Sequence, residues 1–209
     1  MKRGTVVIVI LLMLGSLLFA QDSYIGGSVG LEYEKSSTGL EFLGGSSDDV
    51  IEITGTALNF SVTGANYFGN SSLWGVGYTL GLTKALLAKS GGSSIDVKDL
   101  PIATTVSLKG QRKFAVNNNF NFHLGVGASL GFQSEKESGL TASTSIYHII
   151  VDALATYKIG QSISIGLGLS AGTPVYSKVT LKGDGASFDF DVDVKGFYAM
   201  PYIGVLYNY

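Results

Sequence analysis

From residue 74 the chain reads WGVGYTLGLT: Trp74, Val76, Tyr78, Leu80 and Leu82 alternate with Gly75, Gly77, Thr79 and Gly81. A period of two puts the two sets on opposite faces of a β-strand. One face is bulky and apolar, and the other has almost no side chain. The pattern recurs along the sequence, and no stretch beyond residue 20 keeps a convincing 3.6 period. The alternation predicts eight strands, at about 23–35, 54–65, 72–83, 100–113, 120–133, 145–157, 162–172 and 197–209. In the strand at 120–133, Phe120, Phe122, Leu124, Val126, Leu130 and Phe132 oppose Asn121, His123, Gly125, Gly127, Ser129 and Gly131. The strand at 145–157 is ambiguous, because both of its faces are fairly apolar.

The connections alternate too. After the second, fourth and sixth strands they are short (ANYFGNS, AVNNN, KIGQ). The others are longer and hold most of the Ser, Asp, Lys and Gly runs, such as SGGSSIDVKD and SEKESGLTAST. An even number of strands with short turns at one end and long loops at the other is the pattern of a barrel that spans a membrane. Both termini then fall on the short-turn, periplasmic side.

Polarity agrees with length. Only 14% of residues are charged, against about a quarter in an ordinary soluble domain. Eight strands enclose too little volume for the bulky set, so the small residues must face inward and the bulky ones lipid. Closure satisfies every backbone group where no water is available. Tyr33, Trp74, Phe120, Tyr147, Tyr157, Phe197 and Tyr207 lie near strand ends, as interfacial girdles require. The expected fold is all-β: an eight-stranded antiparallel up-and-down transmembrane β-barrel. A secreted soluble β-sandwich would have similar strands, but it explains neither the length alternation nor the low charge.

Residues 1–20 are set apart as a cleaved signal peptide: Lys2 and Arg3 precede an apolar run from Val6 to Leu14 and a small-residue exit ending at Ala20. Residues 21–209 form the barrel domain. The 16 acidic residues outnumber the 14 basic ones, two of which leave with the leader, and an acidic chain argues against a nucleic-acid partner. There is no cysteine, hence no disulfide framework or thiolate chemistry.

The chain resembles the small eight-stranded outer-membrane β-barrel family (OmpX, OmpA transmembrane domain and OmpW type) over 22–209, through its strand pattern and the terminal IGVLYNY. The resemblance implies that Ile203, Val205, Tyr207 and Tyr209 form the signal read by the barrel-assembly machinery, with Tyr at a position where the family most often has Phe. It also implies the outer membrane of a diderm bacterium, lipid as the surrounding medium, and periplasmic chaperones on the way there. A monomer is the default.

Inward-facing ionisable groups are the first candidates for a site, because a charge in a small lumen must be paired. Counting from the AVNNN turn sets Gln111 opposite His123 and Lys109 opposite Gly125, with Asp152 at about that level. The expectation is a lumenal Lys109–Asp152 pair across the gap that Gly125 leaves. With Gln111 and His123 it forms either a polar plug or a proton or ion relay. His123 and His148 both point inward, yet no motif joins either to a serine and an orienting carboxylate, so no catalytic residue is assigned and the chain is read as a non-enzyme. Inward Ile146, Ile150, Leu154, Met200 and Leu206 meet glycine-rich strands. They either fill the core or leave a narrow greasy cavity.

The last long connection, VTLKGDGASFDFDVDVK, predicts a hairpin turning at Asp184 and Gly185 above the membrane. Phe188, Phe190, Val192 and Val194 alternate there with Asp189, Asp191 and Asp193. Carboxylates at about 7 Å steps along a strand suit a solvated face better than a calcium site, which needs convergent ligands; no metal or cofactor is assigned. The expected role is structural or surface interaction through the extracellular loops, with a surface protein or glycan as partner. The alternative is a narrow conduit for small hydrophobic or uncharged solutes, as in the OmpW type.

Overall fold

The computed structural model describes residues 23–39, 50–69, 73–98, 100–137, 139–183 and 186–209. Residues 1–20, expected as a leader, Ser72, and Asp184 and Gly185, where a turn was expected, lie outside them.

Nine strands follow in order: β1 (Tyr24–Gly39), β2 (Val50–Phe68), β3 (Trp74–Ser90), β4 (Ser93–Ile95), β5 (Ala103–Ala115), β6 (Phe120–Glu137), β7 (Leu140–Lys158), β8 (Ile163–Gly183) and β9 (Ala186–Asn208). Every pairing is antiparallel. Apart from β4, each strand bonds to a neighbour on either side, and β1 pairs with both β2 and β9, so eight strands close a ring. The ninth, β4, corrects the expected count. It is a three-residue return against Ala88, Lys89 and Ser90 at the top of β3.

Alternation along each strand decides the inside and outside. Val29, Phe60, Leu80, Val126, Val151, Leu167 and Val205 stand exposed on the exterior. Ser28, Asn59, Ser107, Ser129, Asp152 and Ser170 are buried in the lumen. In β7 the ambiguity is resolved: Tyr147, Ile149 and Val151 are exposed outside, while Ile150 and Leu154 are buried within. The large lumenal side chains lie over glycines of facing strands. Leu154 and Leu206 cover Gly166, Tyr202 covers Gly168, Tyr198 covers Gly172 and Met200 covers Gly30. A side chain at any of these glycines would displace its neighbour, so the glycines are what let a ring of eight hold aromatic residues.

Two aromatic levels border the apolar exterior. Tyr33 and Phe197 meet at 6.1 Å, and Tyr147 and Tyr176 at 5.5 Å, at the end with the longer connections. Trp74, Tyr157 and Tyr207 stand exposed at the other end. On β9 these levels are ten residues apart, which at about 3.3 Å per residue and a tilt near 45° spans about 23 Å. That matches the apolar band of a membrane barrel, about 25 Å tall.

The strands run well beyond this band. Segments expected as loops are largely ladder: β6 and β7 pair out to Glu137 and Leu140, and β8 and β9 to Gly183 and Ala186. The low charge and clean alternation that mark a membrane segment end at the girdle, whereas backbone pairing does not. Hence the expected strands at 162–172 and 197–209 were too short.

Candidate functional site

The lumen has two levels, and the lower one is packed. Its register differs from the expected one: Lys113 faces His123, Gln111 faces Gly125 and Lys109 faces Gly127. The difference lies in the turn. Asn117 Oδ1 accepts the backbone N–H groups of Asn119 and Phe120, each at 2.9 Å, and Val116 N–H donates to Phe120 O at 3.0 Å. The side chain thus closes a tighter loop than a five-residue count allows, and the strands slide by two residues. A shift of two preserves the face, so all of these side chains still point inward.

Lys109 Nζ lies 3.0 Å from Asp152 Oδ1, with both side chains buried. The lysine stem runs across Gly125, which is the partner of Asp152 in the β6–β7 ladder. Tyr202 OH donates to both oxygens of Asp152 at 3.2 Å. Below this pair, Tyr67 OH and His123 Nδ1 are 2.5 Å apart, His123 Nε2 is 3.1 Å from Thr156 Oγ1, and Gln111 Nε2 donates to Tyr24 OH at 3.2 Å. Lys113 Nζ stands 4.9 Å from the centre of the Tyr67 ring. Tyr24, Tyr67 and Tyr202 join Leu154 and Leu206 in one buried cluster. Sequence reasoning assigned Lys109, Asp152, Gln111 and His123 and missed the tyrosines and Lys113. Their inward parity was the signal that could have found them.

Above this plug the lumen opens into a cavity of about 80 Å³. Hydroxyl and charged side chains dominate its lining, with His148 among them and Ile150 and Met200 as aliphatic exceptions. Of the apolar lumenal residues, Leu154 and Leu206 cover Gly166 and belong to the buried cluster, whereas Ile150 and Met200 line this cavity.

In the extracellular hairpin, β8 changes face. β8 carries an extra residue opposite Tyr147 and His148, and a bulge of this kind exchanges the faces of the strand beyond it. Above it Tyr176, Lys178 and Thr180 point outward, whereas Ser177, Val179 and Leu181 point into the crown. In the β8–β9 ladder Thr180 pairs with Asp189, Lys178 with Asp191, Val179 with Phe190 and Leu181 with Phe188. Lys178 Nζ lies 2.8 Å from Asp189 Oδ2, Thr180 donates to Asp189 at 2.8 Å, Tyr176 OH donates to Asp191 at 2.6 Å, and Asp193 pairs with Lys195 at 3.3 Å. Lys178 and Thr180 together hold the Asp189 carboxyl below its ordinary range. The three aspartates are thus a paired outer ladder. Phe188, 61% exposed, and Phe190 line the inner side of the crown.

At the opposite end Ile203, Val205 and Tyr207 form an exposed outward row. Tyr209 reaches across β1: its OH donates to Asn66 Oδ1 at 2.9 Å and bonds with Tyr78 OH. Tyr78 belongs to the outward set, yet it is 5% exposed because it lies flat on Gly64 beneath this contact. It therefore does not face lipid as its parity suggested.

A closed ring of eight antiparallel strands, bulky outside and small inside, with two aromatic levels, is the fold of the small outer-membrane β-barrels. Among solved structures, the outer membrane protein OprG from Pseudomonas aeruginosa is similar at a TM-score of 0.61 and 16% identity, covering 91% of this chain and 97% of its own. Neisserial surface protein A is similar at 0.57 and 10%, covering 90% and 97%. The outer membrane protein AlkL, solved in lipid bilayers, is similar at 0.55 and 15%, covering 91% and 92%. No protein-family model matches the sequence, and no curated protein matches it.

Proposed function

We propose that this protein is an outer-membrane barrel of a diderm bacterium that works at its extracellular rim, binding a surface protein or glycan, while its lumen stays closed. The observation that carries this reading is the β8–β9 hairpin. It continues as paired strand far above the girdle, fixed on its outer side by the Lys178–Asp189 pair, and it presents Phe188 and Phe190 on the inner side. An exposed aromatic, Phe188, beside the half-buried Phe190 on a rigid support is what a binding surface needs. The polar plug formed by Lys109, Asp152, Gln111 and His123 supports the closed lumen, since every one of these side chains is buried. Ile203, Val205, Tyr207 and Tyr209 serve the assembly route in this reading.

The test compares the refolded full chain with a variant in which residues 178–193 are replaced by a short turn, on panels of immobilised glycans and matrix proteins. Binding by the full chain that the variant loses is expected, and equal binding by both would overturn the assignment to the hairpin. Single-channel recording tests the plug. No conductance is expected, and reproducible steps would sink it.

One observation favours a narrow conduit as the second reading. The β1–β9 ladder skips Leu31 and Glu32, which face Pro201 and Met200, and proline has no N–H to donate. The wall therefore lacks two pairings beside the upper cavity, and a solute stopped by the plug would have to leave sideways. Uptake of a small hydrophobic solute into liposomes, lost on cross-linking β1 to β9 at this level, would establish it.

A further inference from the structure

The upper cavity holds two carboxylates that no cation among the described residues answers. Glu32 and Glu34 are successive inward residues of β1, about 7 Å apart along the strand, and both line the cavity. Ser36 hydrogen-bonds Glu34, and neither carboxylate has a basic partner among the described residues. Asn59, paired with Gly30 on the adjacent strand, lines the same cavity and is 4% exposed. Its Nδ2 donates to Thr83 Oγ1 at 2.8 Å, but its Oδ1 is buried with no protein donor. Ionised carboxylates and an orphaned amide oxygen in such a site are costly unless a donor accompanies them.

We infer that this cavity binds a small organic primary ammonium ion, with its charged head among Glu32, Glu34 and Asn59 Oδ1 and its short carbon body against Ile150, Met200 and Tyr198. An ammonium group has three N–H donors and no acceptor, which complements the two carboxylates and the unpaired Asn59 Oδ1. The barrel floor already contains the same solution, in which the Lys109 ammonium satisfies Asp152 at 3.0 Å. Glu32 and Glu34 have no such lysine. A metal ion fits less well: the carboxylates are set a strand step apart, and no cluster of three His, Cys, Asp or Glu among the described residues could hold one. Size agrees with a compact solute. At roughly 10–15 Å³ per water, a cavity of about 80 Å³ has room for a ligand of a few heavy atoms.

The experiment is an NMR titration of the refolded full chain in lipid nanodiscs with n-butylammonium chloride, against n-butanol, calcium chloride and sodium chloride. Saturable shifts at Glu32, Glu34 and Asn59 with the ammonium alone are expected. The double variant Glu32→Gln with Glu34→Gln should weaken binding at least tenfold. Ala57→Lys keeps the carboxylates and sets a tethered ammonium directly opposite Glu32; it should abolish binding and raise the unfolding temperature. Butanol binding as well as the ammonium, calcium saturating where the ammonium does not, or unchanged binding in both variants would overturn the inference.

Discussion

At the scale of single residues, the closed lumen depends on one ion pair and its surroundings. Asp152 is buried against Lys109 and Tyr202, so removing the lysine strands a buried carboxylate without its cation. Lys109→Met is expected to cost about 3–5 kcal/mol in urea unfolding of the refolded protein. The double variant Lys109→Met with Asp152→Leu should cost far less than its two parts together, because no charge is left unpaired. Additive losses would show that the pair does not act as a unit. Tyr209 gives a milder contrast. Its ring stacks beside Tyr207 at 6.5 Å while its hydroxyl fastens β9 to β2 and β3 across the closing strand. Tyr209→Phe should therefore keep the aromatic end and the yield of folded protein, yet lose about 0.5–1.5 kcal/mol of stability. An unchanged unfolding midpoint would mean that the hydroxyl contact contributes nothing.

At the scale of elements, the extracellular hairpin is held by pairs that titrate, whereas the barrel wall is held by ladder and packing. The folded Asp189 carboxyl titrates below its ordinary value of 3.8, first because of Lys178 and then because of Thr180. A depressed value means that its stabilisation is complete above the ordinary aspartate range and is lost as pH falls through the folded value. Amide protection in residues 178–193 should drop on acidification below about pH 4, while protection in the lower barrel persists. Asp189→Asn should remove most of that dependence. Equal acid sensitivity in both regions would place the switch elsewhere. The bulge at the base of the hairpin matters more than any single pair, because it turns Lys178 and Thr180 outward to meet aspartates that the unbroken alternation of β9 already places there.

At the scale of the whole molecule, inside and outside are exchanged relative to a soluble barrel, and the consequence can be measured. Leu80 stands exposed midway between the aromatic levels. Leu80→Arg is expected to cost about 2–4 kcal/mol for folding into bilayers, where a soluble barrel would accept a surface arginine with little change; a negligible cost would contradict a lipid-facing exterior. Most of this architecture was legible in the residues. Trp74 to Leu82 against Gly75 to Gly81 identifies a strand and its two faces, since a period of two is a local property that needs no partner. Inward placement of Lys109, Gln111, His123 and Asp152 follows from the same parity. Register was not legible, because Asn117 sets the β5–β6 offset through hydrogen bonds that a count of turn residues does not contain. The extent of the strands, the parity change at the β8 bulge, the pairing of the aspartate ladder and the acceptor-rich cavity of Glu32, Glu34 and Asn59 were also hidden. Each depends on which residue of one strand meets which residue of another. The sequence by itself determined the strands, their faces and the medium they suit, because alternation and side-chain size act within a single strand. Only the tertiary structure decided what lies opposite what, because closing the ring couples every register to its neighbours and leaves the positions of lumenal groups to hydrogen bonds between distant segments.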